Sequence, residues 1–121
     1  MFRVTKTLEI AGAHKLNLTY DSKCKNLHGH NWKIKVTCEC KDDELDQGMV
    51  LDFTFIKKAI ADKFDHRYLN EIEPFNITNP TAENMAKYIC DTIPNCVYVS
   101  VQESEGNVAE YFKEVNSDDC K

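Results

Sequence analysis

The chain reads as a single α+β domain in which antiparallel strands lie at both ends of the sequence and two helices lie between them. Three features predict this. Apolar residues alternate with polar ones along residues 2–14, 32–40 and 97–103, the period of a strand with one buried face. The apolar period lengthens to that of a helix around residues 53–64 and 85–93. No internal repeat, low-complexity tract or Pro/Gly/Ser-rich linker divides the 121 residues, the length of one ordinary domain. The order strand, strand, helix, helix, strand, strand predicts a four-stranded antiparallel sheet with both helices on one face.

Phe2, Val4, Leu8 and Ile10 share one parity against Arg3, Thr5, Thr7 and Glu9, and that parity runs on to Gly12 and His14. In the second strand Trp32, Ile34, Val36, Cys38 and Cys40 oppose Lys33, Lys35, Thr37 and Glu39, and counting back puts His28 and His30 on the apolar side. A polar turn, Lys41 to Glu44, follows. Asp52 is a suitable N-cap for a helix carrying Phe53, Ile56, Ile60 and Phe64 on one stripe. Asn79-Pro80-Thr81 opens the second helix, with Pro in its first turn and Thr or Asn as the cap. Its stripe is Met85, Ala86, Ile89, Cys90 and Ile93, and Pro94 ends it. Val97, Val99 and Val101 then face inward on a strand whose parity reaches Glu103. A turn at residues 104–107 leads into the last strand, residues 108–115, and the polar residues 116–121 read as a loose tail. A sheet covered on one face leaves edges open, and joining sheets between copies is the obvious remedy, so a homo-oligomer is expected.

Fifteen Lys+Arg against 20 Asp+Glu leave a net charge of −5, without the basic surplus that binding a phosphate backbone needs. Nucleic acid is therefore not an expected partner. No apolar run reaches the roughly 20 residues of a membrane span, and Arg3, Lys6 and Glu9 interrupt what a signal peptide would require. The expected compartment is the cytosol, where the six cysteines stay reduced. No C-x-x-C pair is present, which removes the zinc-knuckle and thioredoxin-type signatures. Most thiols are expected in the core, with Cys24 the exception.

Three of the four histidines are His14, His28 and His30. In an extended segment residues i and i+2 point the same way, so both imidazoles of His28-Gly29-His30 project together, and the intervening glycine removes a side chain that could crowd them. His14 ends the first strand beside the start of the second if the two pair antiparallel. Three neutral imidazoles so placed suit zinc and leave a fourth position for water or substrate, unless Cys24 fills it. The plainer alternative is three strand-end histidines bonded locally. Cys24 stands between Lys23 and Lys25, which favours its thiolate as base, nucleophile or metal ligand; a loop thiol without a task is the competing reading. Asp65-His66 pairs a carboxylate with an imidazole, as in acid–base relays, or simply ends a helix in water. Glu103 continues a buried parity. A buried carboxylate costs several kcal/mol unless it meets donors, and a guanidine-like edge of a ligand would satisfy both oxygens; otherwise Glu103 lies just past the strand in solvent.

Taken in order, Ala13-His14, Cys24-x-x-x-His28-Gly29-His30-Asn31, Gly48-Met-Val-x-Asp52-Phe53, Asp65-His66-x-x-Leu69-Asn70, Asn79-Pro-Thr-x-Glu83-Asn84 and Glu103 resemble the 6-pyruvoyl-tetrahydropterin synthase family, over nearly the whole chain. Within it the chain is most similar to the bacterial 6-carboxy-5,6,7,8-tetrahydropterin synthases of queuosine biosynthesis, because three residues separate Cys24 from His28. The resemblance implies a T-fold and a hexamer built as a dimer of trimers, with active sites between subunits. It implies Zn2+ on His14, His28 and His30, and Cys24 as general base with Asp65 and His66 in the proton relay. Glu103 would anchor the pterin, and Thr81 and Glu83 would line its pocket. The implied substrate is 7,8-dihydroneopterin triphosphate, with Lys15, Lys23, Lys25 and Arg67 as candidates for the phosphates. The implied products are the carboxylated tetrahydropterin, acetaldehyde and triphosphate. Elimination without side-chain cleavage, giving 6-pyruvoyl-tetrahydropterin, is the alternative chemistry, and a non-catalytic zinc or pterin-binding module is the alternative class. The family's Phe-x-Ala-Ala-His reads Ile10-Ala-Gly12-Ala-His14 here, and its Glu-Thr reads Glu103-Ser104.

Overall fold

A computed structural model describes residues 1–113. The tail expected at 116–121, the last two residues of the strand expected at 108–115, and Cys120 lie outside the described residues. In chain order the elements are β1 (Phe2–His14), β2 (His28–Cys40), α1 (Phe53–Phe64), β3 (Arg67–Tyr68), α2 (Ala82–Thr92), β4 (Cys96–Ser104) and β5 (Asn107–Phe112). One-turn 3-10 helices occupy Lys23–Lys25 and Leu69–Glu71.

Among the described residues the sheet has five strands in the order β3-β1-β2-β4-β5, not four. The added strand is two residues long and runs parallel to β1, with Gly12 opposite Arg67 and Ala13 opposite Tyr68. Its origin is the end of α1. His66 adopts a left-handed backbone (φ 57°) that turns the chain alongside β1, and its N–H donates to the Ala11 carbonyl at 2.7 Å. Two residues carry too little apolar alternation to register as a strand in sequence. The other pairs, β1–β2, β2–β4 and β4–β5, are antiparallel as expected.

Ile10, Trp32, Ile34, Val36, Val99 and Val101 supply the buried sheet face, and Ile56, Ile60, Phe64, Met85, Ala86 and Ile89 cover it from the helices. Phe53 is not part of the α1 stripe: it directly follows the capping residue Asp52 and stays 48% exposed. Pro80 precedes the Thr81 cap instead of lying in the first turn of α2. Val97 is only half-buried because the β2–β4 register shifts there, pairing Thr37 with Tyr98 but Cys38 with Cys96. A second shift falls in β4–β5, where Gln102 pairs with Val108 and Ser104 with Asn107, leaving Glu103 as the extra residue. Cys38, Cys40, Cys90 and Cys96 are buried free thiols in the core, and Cys24 is half-exposed. No helix among the described residues is long and apolar enough to cross a membrane.

Candidate metal centre

The β1–β2 register places His14 opposite His28 and Gly12 opposite His30, so the period-two pattern brings three imidazoles to one face at one end of the pair. Their ring centroids lie 4.5, 4.8 and 5.3 Å apart. The Trp32 ring stands edge-on to His14 and His30, at 4.9 and 5.3 Å, and forms the apolar floor. Gly12 is the residue that makes room for it. The Trp32 Nε1–H donates to the Gly12 carbonyl at 3.0 Å, and a Cβ at Gly12 would come 3.3 Å from that nitrogen and 3.4 Å from Leu69. Gly29 needs no such relief, since a Cβ there meets only the Gly12 carbonyl at 3.9 Å, an ordinary contact. The expectation that glycine between the histidines prevents crowding therefore does not hold within the chain.

Backbone carbonyls fix the tautomers. His14 Nδ1 lies 2.7 Å from the Pro80 oxygen and His28 Nδ1 lies 2.6 Å from the Asn26 oxygen. A carbonyl can only accept, so each Nδ1 carries the proton and each neutral ring keeps its Nε2 lone pair free. Burial pushes the pKa values of His14 and His30 below the ordinary imidazole value, keeping both rings neutral. The Nε2 atoms of His14 and His30 are buried without a hydrogen-bond partner. Glu103, on the parity of Val99 and Val101, brings its Oε1 to 3.0 Å from His14 Nε2 and 3.2 Å from His30 Nε2, outside hydrogen-bonding geometry. A carboxylate oxygen held against unprotonated imidazole nitrogens is an arrangement that calls for a cation. One ligand atom from each of His14, His28, His30 and Glu103 lies within 4.8 Å of the others. Ligands about 2.0–2.1 Å from zinc in a tetrahedron stand about 3.3 Å apart. The donor set therefore fits a divalent ion, and the orphaned nitrogens are the observation that shows it.

The other expected site residues are distributed around this centre. Cys24 sits on the one-turn helix capped by Ser22, its carbonyl accepting from Leu16 N–H at 2.8 Å, and its sulfur is not among the four clustered ligand atoms. Asp65 ends α1, and its Oδ1 accepts from Ala11 N–H at 2.9 Å. Its Oδ2 is 3.7 Å from His66 Nε2, beyond a hydrogen bond, and the His66 side chain is 83% exposed. His66 borders a hollow of about 550 Å³ with Ala11, Gly29, Asn31 and Arg67, while Cys24 lines none of it. Thr81 caps α2 by accepting from Asn84 N–H at 3.1 Å. Glu83, on the first turn of α2, shares a separate hollow of about 380 Å³ with Glu103, Asn107 and Val108. Sequence reasoning did not assign the Pro80 and Asn26 carbonyls, because a backbone oxygen leaves no residue-type signal. It also left Asn70 without a role and gave Asn79 only that of a candidate helix cap, which Thr81 fills instead.

Four similarities to known proteins bear on this geometry. The profile described as 6-pyruvoyl tetrahydropterin synthase matches residues 3–114. A 6-carboxy-5,6,7,8-tetrahydropterin synthase of Bacillus subtilis is 30% identical over 125 residues, covering 91% of this chain and 84% of that protein. A 6-pyruvoyl tetrahydrobiopterin synthase of Drosophila melanogaster is 36% identical over 109 residues, covering 78% of this chain and 64% of that protein. The solved 6-pyruvoyl tetrahydropterin synthase of Caenorhabditis elegans superposes with a TM-score of 0.73 at 28% identity, covering 93% of this chain and 96% of that one. The chain belongs to the 6-pyruvoyl tetrahydropterin synthase family and has its T-fold.

Proposed function

We propose that this protein is a zinc-dependent lyase that converts 7,8-dihydroneopterin triphosphate and one water to 6-carboxy-5,6,7,8-tetrahydropterin, acetaldehyde and triphosphate, as a step toward 7-deazapurines such as queuosine. The observation that carries this reading is the set of imidazole nitrogens aimed at one point, two of them buried without partners, beside an unspent carboxylate. The similarity to relatives named for the carboxy product and the three-residue spacing between Cys24 and His28 favour that product.

His14, His28 and His30 would hold Zn2+, which when bound supplies Lewis acidity to the side-chain oxygens of the substrate. Glu103 touches the histidines and lines the hollow shared with Glu83, and would receive the 2-amino-4-oxo edge of a pterin there. Its two oxygens match two adjacent N–H donors. Cys24 would remove a proton from the substrate side chain, and the Asp65/His66 pair would handle the proton at a different atom. Lys15 and Lys25 share a hollow of about 510 Å³ and would be candidates for the phosphate oxygens. The exposed His66 and the open β5 edge, with Val108 and Phe112 largely exposed, support active sites completed between subunits, in a dimer of trimers. Buried free thiols suit a reducing cytosol.

Incubation with 7,8-dihydroneopterin triphosphate followed by mass spectrometry tests the assignment. Acetaldehyde and a carboxylated pterin in equal amounts support it. A pyruvoyl pterin without acetaldehyde would move the protein to the chemistry named for its fly and nematode relatives. Cys24→Ala is expected to abolish turnover while zinc and pterin still bind; full turnover in that variant would identify a non-catalytic role for the thiol.

A further inference from the structure

The segment after β1 belongs to no helix or strand, yet its backbone is fastened on both sides. The Asn70 carboxamide accepts from Lys15 N–H and donates to the Lys15 carbonyl, both at 2.9 Å. The Asn79 carboxamide does the same for Asn17, accepting at 2.8 Å and donating at 3.0 Å. Between them the Leu16 N–H turns the other way and donates to the Cys24 carbonyl at 2.8 Å. This is the alternation of a strand, in which residues i and i+2 present both backbone groups to one side and i+1 to the other. Here two side-chain amides stand where a neighbouring strand would be. A carboxamide does this because it carries a donor and an acceptor in one plane, as a peptide unit does.

We infer that Asn70 and Asn79 are positioning residues that clamp residues 15–17 into a strut fixing the Cys24 loop relative to the histidine centre. The strut begins at His14 itself. Its Asn79 end is anchored in the turn that also orients that histidine, since the carbonyl of the next residue, Pro80, accepts a hydrogen bond from His14 Nδ1–H. The turn is braced in its own right, with the Asn79 carbonyl accepting from Thr81 N–H and from Asn84 Nδ2, both at 2.9 Å. Lys15, Asn17, Lys25 and Asn70 all border one hollow, so loosening the strut also loosens its wall. The inference rests on the proposed roles of zinc and Cys24, but its principal readout does not need turnover.

The test compares zinc-loaded wild type with Asn70→Ala and Asn79→Ala, alkylating with iodoacetamide and following each cysteine peptide by mass spectrometry. Cys24 is expected to react roughly tenfold faster in either variant, because the loop opens more often. Cys38, Cys40, Cys90 and Cys96 are expected to stay protected, with bound zinc retained. Turnover is expected to show kcat reduced about 100-fold and KM changed less than about threefold, the pattern of a displaced reacting group. Asn70→Asp, which keeps the acceptor for Lys15 N–H and loses the donor, should fall between wild type and alanine. Wild-type Cys24 reactivity in both alanine variants would overturn the inference, as would a uniform rise at Cys24, Cys38, Cys40, Cys90 and Cys96, which marks general loosening. Absence of turnover in the wild type would refute the proposed reaction, and Cys24 reactivity alone would then decide the clamp.

Discussion

Replacing Glu103 by glutamine separates two jobs the structure places on one side chain. The Glu103 Oε1 lies 3.0 and 3.2 Å from two imidazole nitrogens that have no hydrogen-bond partner. Glu103→Gln keeps the shape, removes the charge and turns one oxygen into an N–H donor. In the metal-free protein that N–H can satisfy an orphaned Nε2, a gain of about 0.5–1.5 kcal/mol, or about 2–9 °C in Tm for a domain of this size. With pterin bound the same change is costly. One charge-assisted hydrogen bond is lost and a ligand donor faces another donor, costing about 2–4 kcal/mol, or roughly 30- to 1,000-fold in kcat/KM. Zinc affinity should change less than about threefold, because three imidazoles remain. The assays are differential scanning calorimetry of the chelated protein, chelator competition for zinc, and steady-state kinetics. A fall in zinc affinity beyond about tenfold with pterin binding unchanged would refute the reasoning and make Glu103 a metal ligand.

Three further outcomes follow from named contacts. Gly12→Ala drives a methyl to 3.3 Å from the Trp32 indole nitrogen and 3.4 Å from Leu69, so a loss of about 1–3 kcal/mol is expected by denaturant titration, and a neutral result would show that the floor of the centre is loosely packed. The Cys90 thiol is pushed up to about 12 by burial, so the folded chain keeps a proton that the unfolded chain releases above pH 9. Stability is therefore full below pH 9 and falls by up to about 1.4 kcal/mol per pH unit on the way to pH 12; Cys90→Ala should flatten that part of the profile, and an unchanged slope would place the alkaline loss elsewhere. If Cys24 and His66 at one site come from different subunits, mixing inactive Cys24→Ala and His66→Ala chains and reassembling them restores roughly one quarter of the sites, whereas a site built from one chain stays inactive.

Much of this arrangement was legible because strands advertise themselves by parity. Counting alternate residues from Trp32 back to His28 and from Phe2 forward to His14 was enough to bring three imidazoles together, and the register His14 opposite His28 bears that out. What stayed hidden depends on single hydrogen bonds or on departures from parity. Parity also carried Glu103 to the histidine face, but the bulge that leaves it unpaired against β5 has no mark in residues 97–103. The left-handed turn at His66 creates β3 within two residues. Phe53 fits a helical stripe by spacing but sits beside the cap, where the helix has not yet met the sheet. The Gly12 departure from the family pattern became intelligible only once the Trp32 indole was seen against it.

Diffraction from zinc-loaded crystals, with anomalous data collected across the metal edge, tests the central claim most directly. The account predicts one peak per chain, about 2.0–2.1 Å from the Nε2 atoms of His14, His28 and His30, with a solvent or pterin oxygen in the fourth position. A peak bonded to the Glu103 carboxylate instead of solvent, or none among these three rings, would contradict it.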